Sequence, residues 1–121
     1  MSTADDPSEI RLHQIAKAIQ DLDEIVVALL TSPSSSKPWQ RLLRQLLHEV
    51  DRRMQVLRLT ISMERDDSEI SAAVRDLLAA LRQARSFGAR SRADQATNAV
   101  LLIAQELGQS IDKWRHHATD G

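Results

Sequence analysis

The sequence predicts an all-α protein, an antiparallel up-down-up-down four-helix bundle, and three observations carry that expectation. Apolar residues recur at steps of three and four through four successive segments, the spacing that lines one face of a helix. The segments are joined by short links, which make antiparallel neighbours the simplest arrangement. No stretch alternates apolar and polar residues as a half-buried strand does. At 121 residues the chain is long enough to bury a core of its own without covalent staples. Residues 8–117 are expected to form one domain, between a flexible N-terminus at 1–7 and a flexible tail at 118–121.

The first helix is expected to start at Asp6-Pro7-Ser8-Glu9, where Asp6 caps, Pro7 suits the first helical position and Glu9 closes a capping box. Leu12, Ile15, Ile19, Leu22, Val26 and Leu29 form its stripe, and Ser32-Pro33 stops it because proline lacks the N–H and disfavours helix before it. Ser34 to Ser36 form a link. The second helix opens at Ser36-Lys37-Pro38 and runs to about Glu64, with Leu43, Leu47, Val50, Met54, Leu57 and Ile61 as its seam. Asp66 and Glu69 make a capping box for the third, whose stripe is Ile70, Val74, Leu77, Leu81 and Ala84. Phe87-Gly88 is expected to end it, with Gly88 as the left-handed C-terminal residue. The fourth is expected to start at Ser91 with Asp94 three positions on. Its stripe is Ala93, Ala96, Val100, Ile103, Leu107, Ile111 and Trp114, and the chain frays from about His117.

Composition narrows the function classes. Hydrophobic residues are 42% and charged residues 27% of the chain, ordinary for a globular protein. There is no cysteine, which excludes disulfides, thiolate zinc sites and cysteine nucleophiles. The start, MSTADDPSE, holds no apolar run of signal-peptide length. The longest apolar runs, Ile25–Leu30 and Ala99–Ala104, are far too short to span a bilayer. A cytoplasmic protein that does not enter membranes is expected.

A net charge of −1 hides an uneven distribution. No Asp or Glu lies between Glu24 and Glu49, where Lys37, Arg41 and Arg44 sit, and none between Asp76 and Asp94, where Arg82, Arg85, Arg90 and Arg92 sit. In an up-and-down bundle these segments share one pole, and Trp39 and Phe87 belong to it as well. Such a pole suits an acidic protein segment, a phosphorylated ligand or a nucleic-acid backbone; the plainer reading is solvated surface. Nucleic acid ranks behind protein, because the overall charge is not basic and no reading motif is present.

The apolar stripes are wider than a bundle needs. Val27 and Leu30 complete an all-apolar run on the first helix, and Leu42 and Leu46 widen the second. Val56, Leu59 and Met63 do the same further along it, as do Leu101 and Leu102 on the fourth helix. Wide burial explains such a surplus; so does a face for a partner helix or for a second copy, with a homodimer the commonest closed arrangement.

Catalytic patterns are sparse. His48 falls with Arg44, Asp51, Arg52 and Gln55 on the polar side of its helix. Leu47-His48-Glu49-Val50 resembles the His-acid start of the dimerisation helices of sensor kinases, which implies a phosphoacceptor at His48. Arg53 stands where one subgroup of those kinases has Gln or His, and no proline follows as in the other. Arg41 and His48, two turns apart, resemble the Arg-to-His motif of the HEPN helical ribonucleases, with Leu42 where that family has a polar residue. His116-His117 point apart on a helix, and no inward carboxylate or His pair supports a metal centre. Glycine is too rare for a phosphate loop, and the serines sit mainly at caps and links. No catalytic residue, metal or cofactor is expected. Met54 and Trp114 read as core fillers, and Trp39 as a candidate for an interface.

The expected function is a non-enzymatic helical interaction module: a regulator, adaptor or chaperone-like subunit. It binds a protein through the apolar face of Val27, Leu30, Leu42 and Leu46 and through the arginine-rich end. Histidine phosphotransfer through His48 and nucleic-acid backbone binding at the basic end are the alternatives.

Overall fold

The computed structural model describes residues 7–31, 37–91 and 93–120, with side chains at 10–31, 37–91 and 93–113. Four helices follow in order: α1 (Pro7–Leu30), α2 (Pro38–Ser62), α3 (Asp67–Arg90) and α4 (Gln95–Asp120). Each packs on the next and α4 closes the ring on α1, giving the antiparallel up-down-up-down bundle; no strand occurs among the described residues. The α1–α2 seam is the sparsest of the four. The expected caps and link at Asp6, Ser32–Ser36 and Arg92, and the side chains of Ser8, Glu9, Trp114, His116 and His117, lie outside the described residues.

The seam read for α2 is the one observed. Leu43, Leu47, Val50, Met54 and Leu57 are buried and Ile61 packs against them. They meet Leu22 and Val26 of α1, Val74 and Leu77 of α3 and Ile111 of α4 in one core, and no polar or charged residue among those described is buried with them. Each such side chain contributes about 1.5–3 kcal/mol by leaving water. On α1 the stripe holds from Ile15 onward, but Leu12 is exposed.

α4 departs from its expected register. The buried positions are Leu101, Ala104, Gly108 and Ile111, whereas Ala96 and Ile103 face solvent. The cause is steric. A Cβ built on Gly108 would come within 2.5 Å of Leu81 Cδ1 and 3.1 Å of Leu78 Cδ2. α4 therefore turns two of its small residues, Ala104 and Gly108, inward to receive the leucines of α3, and its bulkier Ile103 outward.

Gly88 does not end α3. It lies within the helix, buried, with no positive φ, and a Cβ there would sit 2.7 Å from both Asn98 Oδ1 and Leu101 Cδ1. The glycine permits close approach of α3 and α4, and Ser91 is the C-terminal cap. The left-handed C-terminal residue is instead Glu64, at φ 54°. Glu64 N–H donates to Ile61 O (3.0 Å) and Arg65 N–H to Thr60 O (3.1 Å), the paired bonds of a Schellman motif closing α2. A non-glycine residue holds that conformation at a cost.

The starts of the helices follow side-chain chemistry. Pro38 sits in the first turn of α2, and Gln40 Oε1 accepts the Lys37 N–H at 3.1 Å. Asp66 caps α3 by accepting Glu69 N–H at 2.9 Å. The reciprocal half of that capping box is absent, because the Glu69 carboxylate pairs with Arg65 (2.9 Å to Nη2). α4 begins later than the Ser91 start expected. Asp94 accepts Thr97 N–H at 2.7 Å and takes the cap position, while Ser91 is occupied with the end of α3. At its other end α4 continues to Asp120.

These caps carry a pH signature. The carboxyls of Asp66 and Asp94 are held below the usual range chiefly by the backbone N–H of Glu69 and of Thr97 respectively. A carboxyl depressed in the folded state adds stability above its unfolded pKa and loses it as pH falls through the folded value. The thermal midpoint is therefore expected to fall on acidification below about pH 4. A double Asp66→Asn, Asp94→Asn variant, which keeps acceptors without charge, should show a shallower fall. Melts followed by circular dichroism check this, and superimposable slopes for the two proteins would remove the caps from the effect.

Candidate functional site

The α1 C-terminus, α2 N-terminus, α3 C-terminus and α4 N-terminus meet at one pole, as the topology requires. The expected basic cluster arrives there but is divided among three seams. On the α1 side, Arg44 is half-buried and its Nη1 donates to Leu30 O at 2.6 Å. That bond satisfies one of the carbonyls left open at a helix C-terminus and suits its negative end. On the α3–α4 side, Arg85 Nη1 donates to Gln105 Oε1 at 2.8 Å. Lys37 caps α2 and faces Asp94, whose carboxyl its charge helps to depress after the Thr97 N–H. Arg41 is exposed. Arg92 lies outside the described residues.

Arg82 and Arg90 take the third seam, between α2 and α3. There an open groove of about 740 Å³ is lined by Leu42 and Leu46 of α2 and by Arg82, Ser86, Phe87 and Arg90 of α3. Arg90 Nε donates to Ser86 O at 3.2 Å, which lays the side chain along its own helix. An adjoining hollow of about 500 Å³ adds Trp39 and Ser91 to Leu42, Phe87 and Arg90. Leu42 is 49% exposed, while Trp39, Leu46 and Phe87 are half-buried with their inner atoms against the core. Two surfaces that the sequence presents as separate, one arginine-rich and one apolar, thus share one groove at Leu42, Leu46, Arg82 and Arg90.

The rest of the expected apolar face is elsewhere. Val27 is exposed on α1, and Leu30 is half-buried against the core. α2 reaches α1 through Arg44 and Arg58, the latter 3.7 Å from Asp23. It reaches α3 through Leu42, Leu46 and Arg53, the last 3.7 Å from Asp76. Val27, exposed on α1, is therefore not part of the α2–α3 groove that Leu42 lines.

Gln45 of α2 and Ala79 and Gln83 of α3 also line the groove and went unnoticed in the sequence. Ala79, Arg82, Gln83, Ser86 and Arg90 follow helical spacing, so the signal was present. It was obscured because small and amide side chains carry no charge or apolar bulk. Further along the outer side of α2, Val56, Leu59 and Met63 are exposed at steps of three and four.

His48 is exposed on α2. Beside it, Glu49 is tied to Arg52 and to Arg53 (2.8 Å), and its carboxyl is held below the usual range chiefly by Arg52. Among the described residues no group of three or more His, Asp or Glu comes together as a metal site, and no helix is long and apolar enough to cross a membrane. Compared with protein-family models, curated proteins and solved structures, the chain finds no match.

Proposed function

We propose that this chain is a non-enzymatic interaction module whose α2–α3 groove receives an amphipathic helix with an acidic edge. The observation that supports this reading is the convergence of Leu42, Leu46 and Phe87 with Arg82 and Arg90 in one open groove. An apolar helix face lies in such a groove through residues at steps of three and four. Acidic residues along its edge meet the guanidinium groups, which adds orientation and a faster encounter. Trp39, in the adjoining hollow, is the aromatic residue type that most often anchors an interface. A cytoplasmic setting belongs to the same reading, as does self-association through Val56, Leu59 and Met63.

A photo-cross-linking residue at Gln45, inside the groove, tests the proposal against the same residue at Gln55, outside it. Cross-linking in native extract, with nuclease added, should trap a discrete protein at Gln45 and not at Gln55. Equal trapping at both positions would remove the groove from function. Adducts lost on nuclease treatment would put nucleic-acid binding in its place.

The exposure of His48 keeps phosphotransfer as a second reading. Acid-labile phosphate on the protein, lost in His48→Ala, would establish it.

A further inference from the structure

At the pole opposite the groove the described residues leave an opening in the bundle. An apolar pocket of about 290 Å³ opens between α1 and α2, on the sparsest seam of the ring. Ile15 and Ile19 of α1, Leu57 and Ile61 of α2, Val74 of α3 and Ile111 of α4 form its walls. Several of these are core residues, Leu57 and Ile111 fully buried, so the pocket reaches the centre of the bundle. Its mouth carries small residues, Ala16 and Ser62, and Leu12, which stays exposed instead of closing over the opening.

Among the described residues one charged side chain lines the pocket. Arg58 stands beside the opening, 38% exposed, and its Nη2 lies 3.7 Å from Asp23 Oδ2. That separation exceeds a hydrogen bond. A guanidinium has five N–H donors in a planar fork, so it can serve a second anionic group without surrendering Asp23.

We infer that this pocket binds a linear aliphatic carboxylate, with the chain between the four helices and the carboxylate on Arg58. The volume sets the length. An apolar cavity of about 150 Å³ takes up benzene, so twice that space holds a chain of roughly ten carbons. The walls select a chain without polar substituents, because any polar group in it would be buried among isoleucine and leucine without a partner. Ser62 and Arg58 at the rim select a head that accepts hydrogen bonds. A quaternary ammonium head finds a like charge there and is rejected.

Decanoate is the probe, with decanol and decyltrimethylammonium as head-group controls. Calorimetric titration of the full chain should show saturable one-to-one binding of decanoate, weaker binding of decanol and none of the ammonium compound. Ala16→Trp fills the mouth from a solvent-facing position and should reduce decanoate affinity at least tenfold, with helical content unchanged by circular dichroism. Arg58→Gln should reduce decanoate affinity about tenfold while leaving decanol unaltered. Absence of saturable binding, or binding indifferent to Ala16→Trp, would overturn the pocket as the site. Equal losses for decanoate and decanol in Arg58→Gln, or binding of the ammonium compound, would overturn the anionic head.

Discussion

Reversing Arg82 and Arg90 together to glutamate is expected to weaken binding of the groove's protein partner by about ten- to a hundredfold. Both residues are exposed, so neither holds the core together, and helical content should be unchanged. Exposed ion pairs are individually weak. Reversal does more than remove them, because it sets repulsion where attraction stood, at two points of one groove. The loss should fall largely on the association rate, and wild-type affinity should decline with salt while that of the variant rises as salt screens the repulsion. Arg85→Glu serves as the control: it lies at the same pole but is turned to Gln105 on the α3–α4 side. Binding kinetics with the cross-linked partner would separate the cases. An equal loss in the control would mean that the partner reads the charge of the whole pole, and no loss in the double variant would remove these arginines from recognition.

Gly108→Leu is expected to lower stability by about 1–3 kcal/mol or more. A single added carbon already falls 2.5 Å from Leu81 Cδ1, and Leu81 is itself buried, so it has little room to retreat. A leucine adds three further carbons to that contact and forces α4 away from α3. Gly108→Ala is the informative companion. It gains about 1 kcal/mol of helix propensity against the same first contact, so it should fall between the wild type and Gly108→Leu. Urea denaturation reads both, as a shift of midpoint at constant slope. A leucine variant as stable as the wild type would mean that α4 slides on α3 without cost, and that Gly108 does not set the register.

That register marks the limit of what periodicity discloses. The seam of α2 was legible because large apolar residues alone define it, and nothing competes with them. On α4 the bulk of Val100 and Ile103 suggests one face, while Leu101, Ala104 and Gly108 form the face that packs. Periodicity weighs size, whereas a tight seam needs its absence on one side. The end of α3 reads wrongly in the sequence for a related reason. Gly88 has the sequence of a left-handed terminus but serves helix proximity, and Glu64 supplies the left-handed residue without glycine. At the candidate site, which residues share the pole was legible from topology. Their division among three seams was not, because it depends on which flank of α2 and α3 each arginine occupies. Arg44 shows this most plainly: by spacing it is one more surface cation, and in the fold it caps α1.

The closure of the ring by α4 on α1 has a consequence during synthesis. Of the four helices α1 is made before the others, and it finds one of its two neighbours only when α4 has been made. Until then Leu78 and Leu81 of α3, and the side of α1 that α4 covers, face solvent or whatever shields nascent chains. At about 5–20 residues per second, that interval lasts on the order of seconds. A chain interrupted after α3 therefore displays an apolar trough along α1 and α3, by which it differs from one that carries α4.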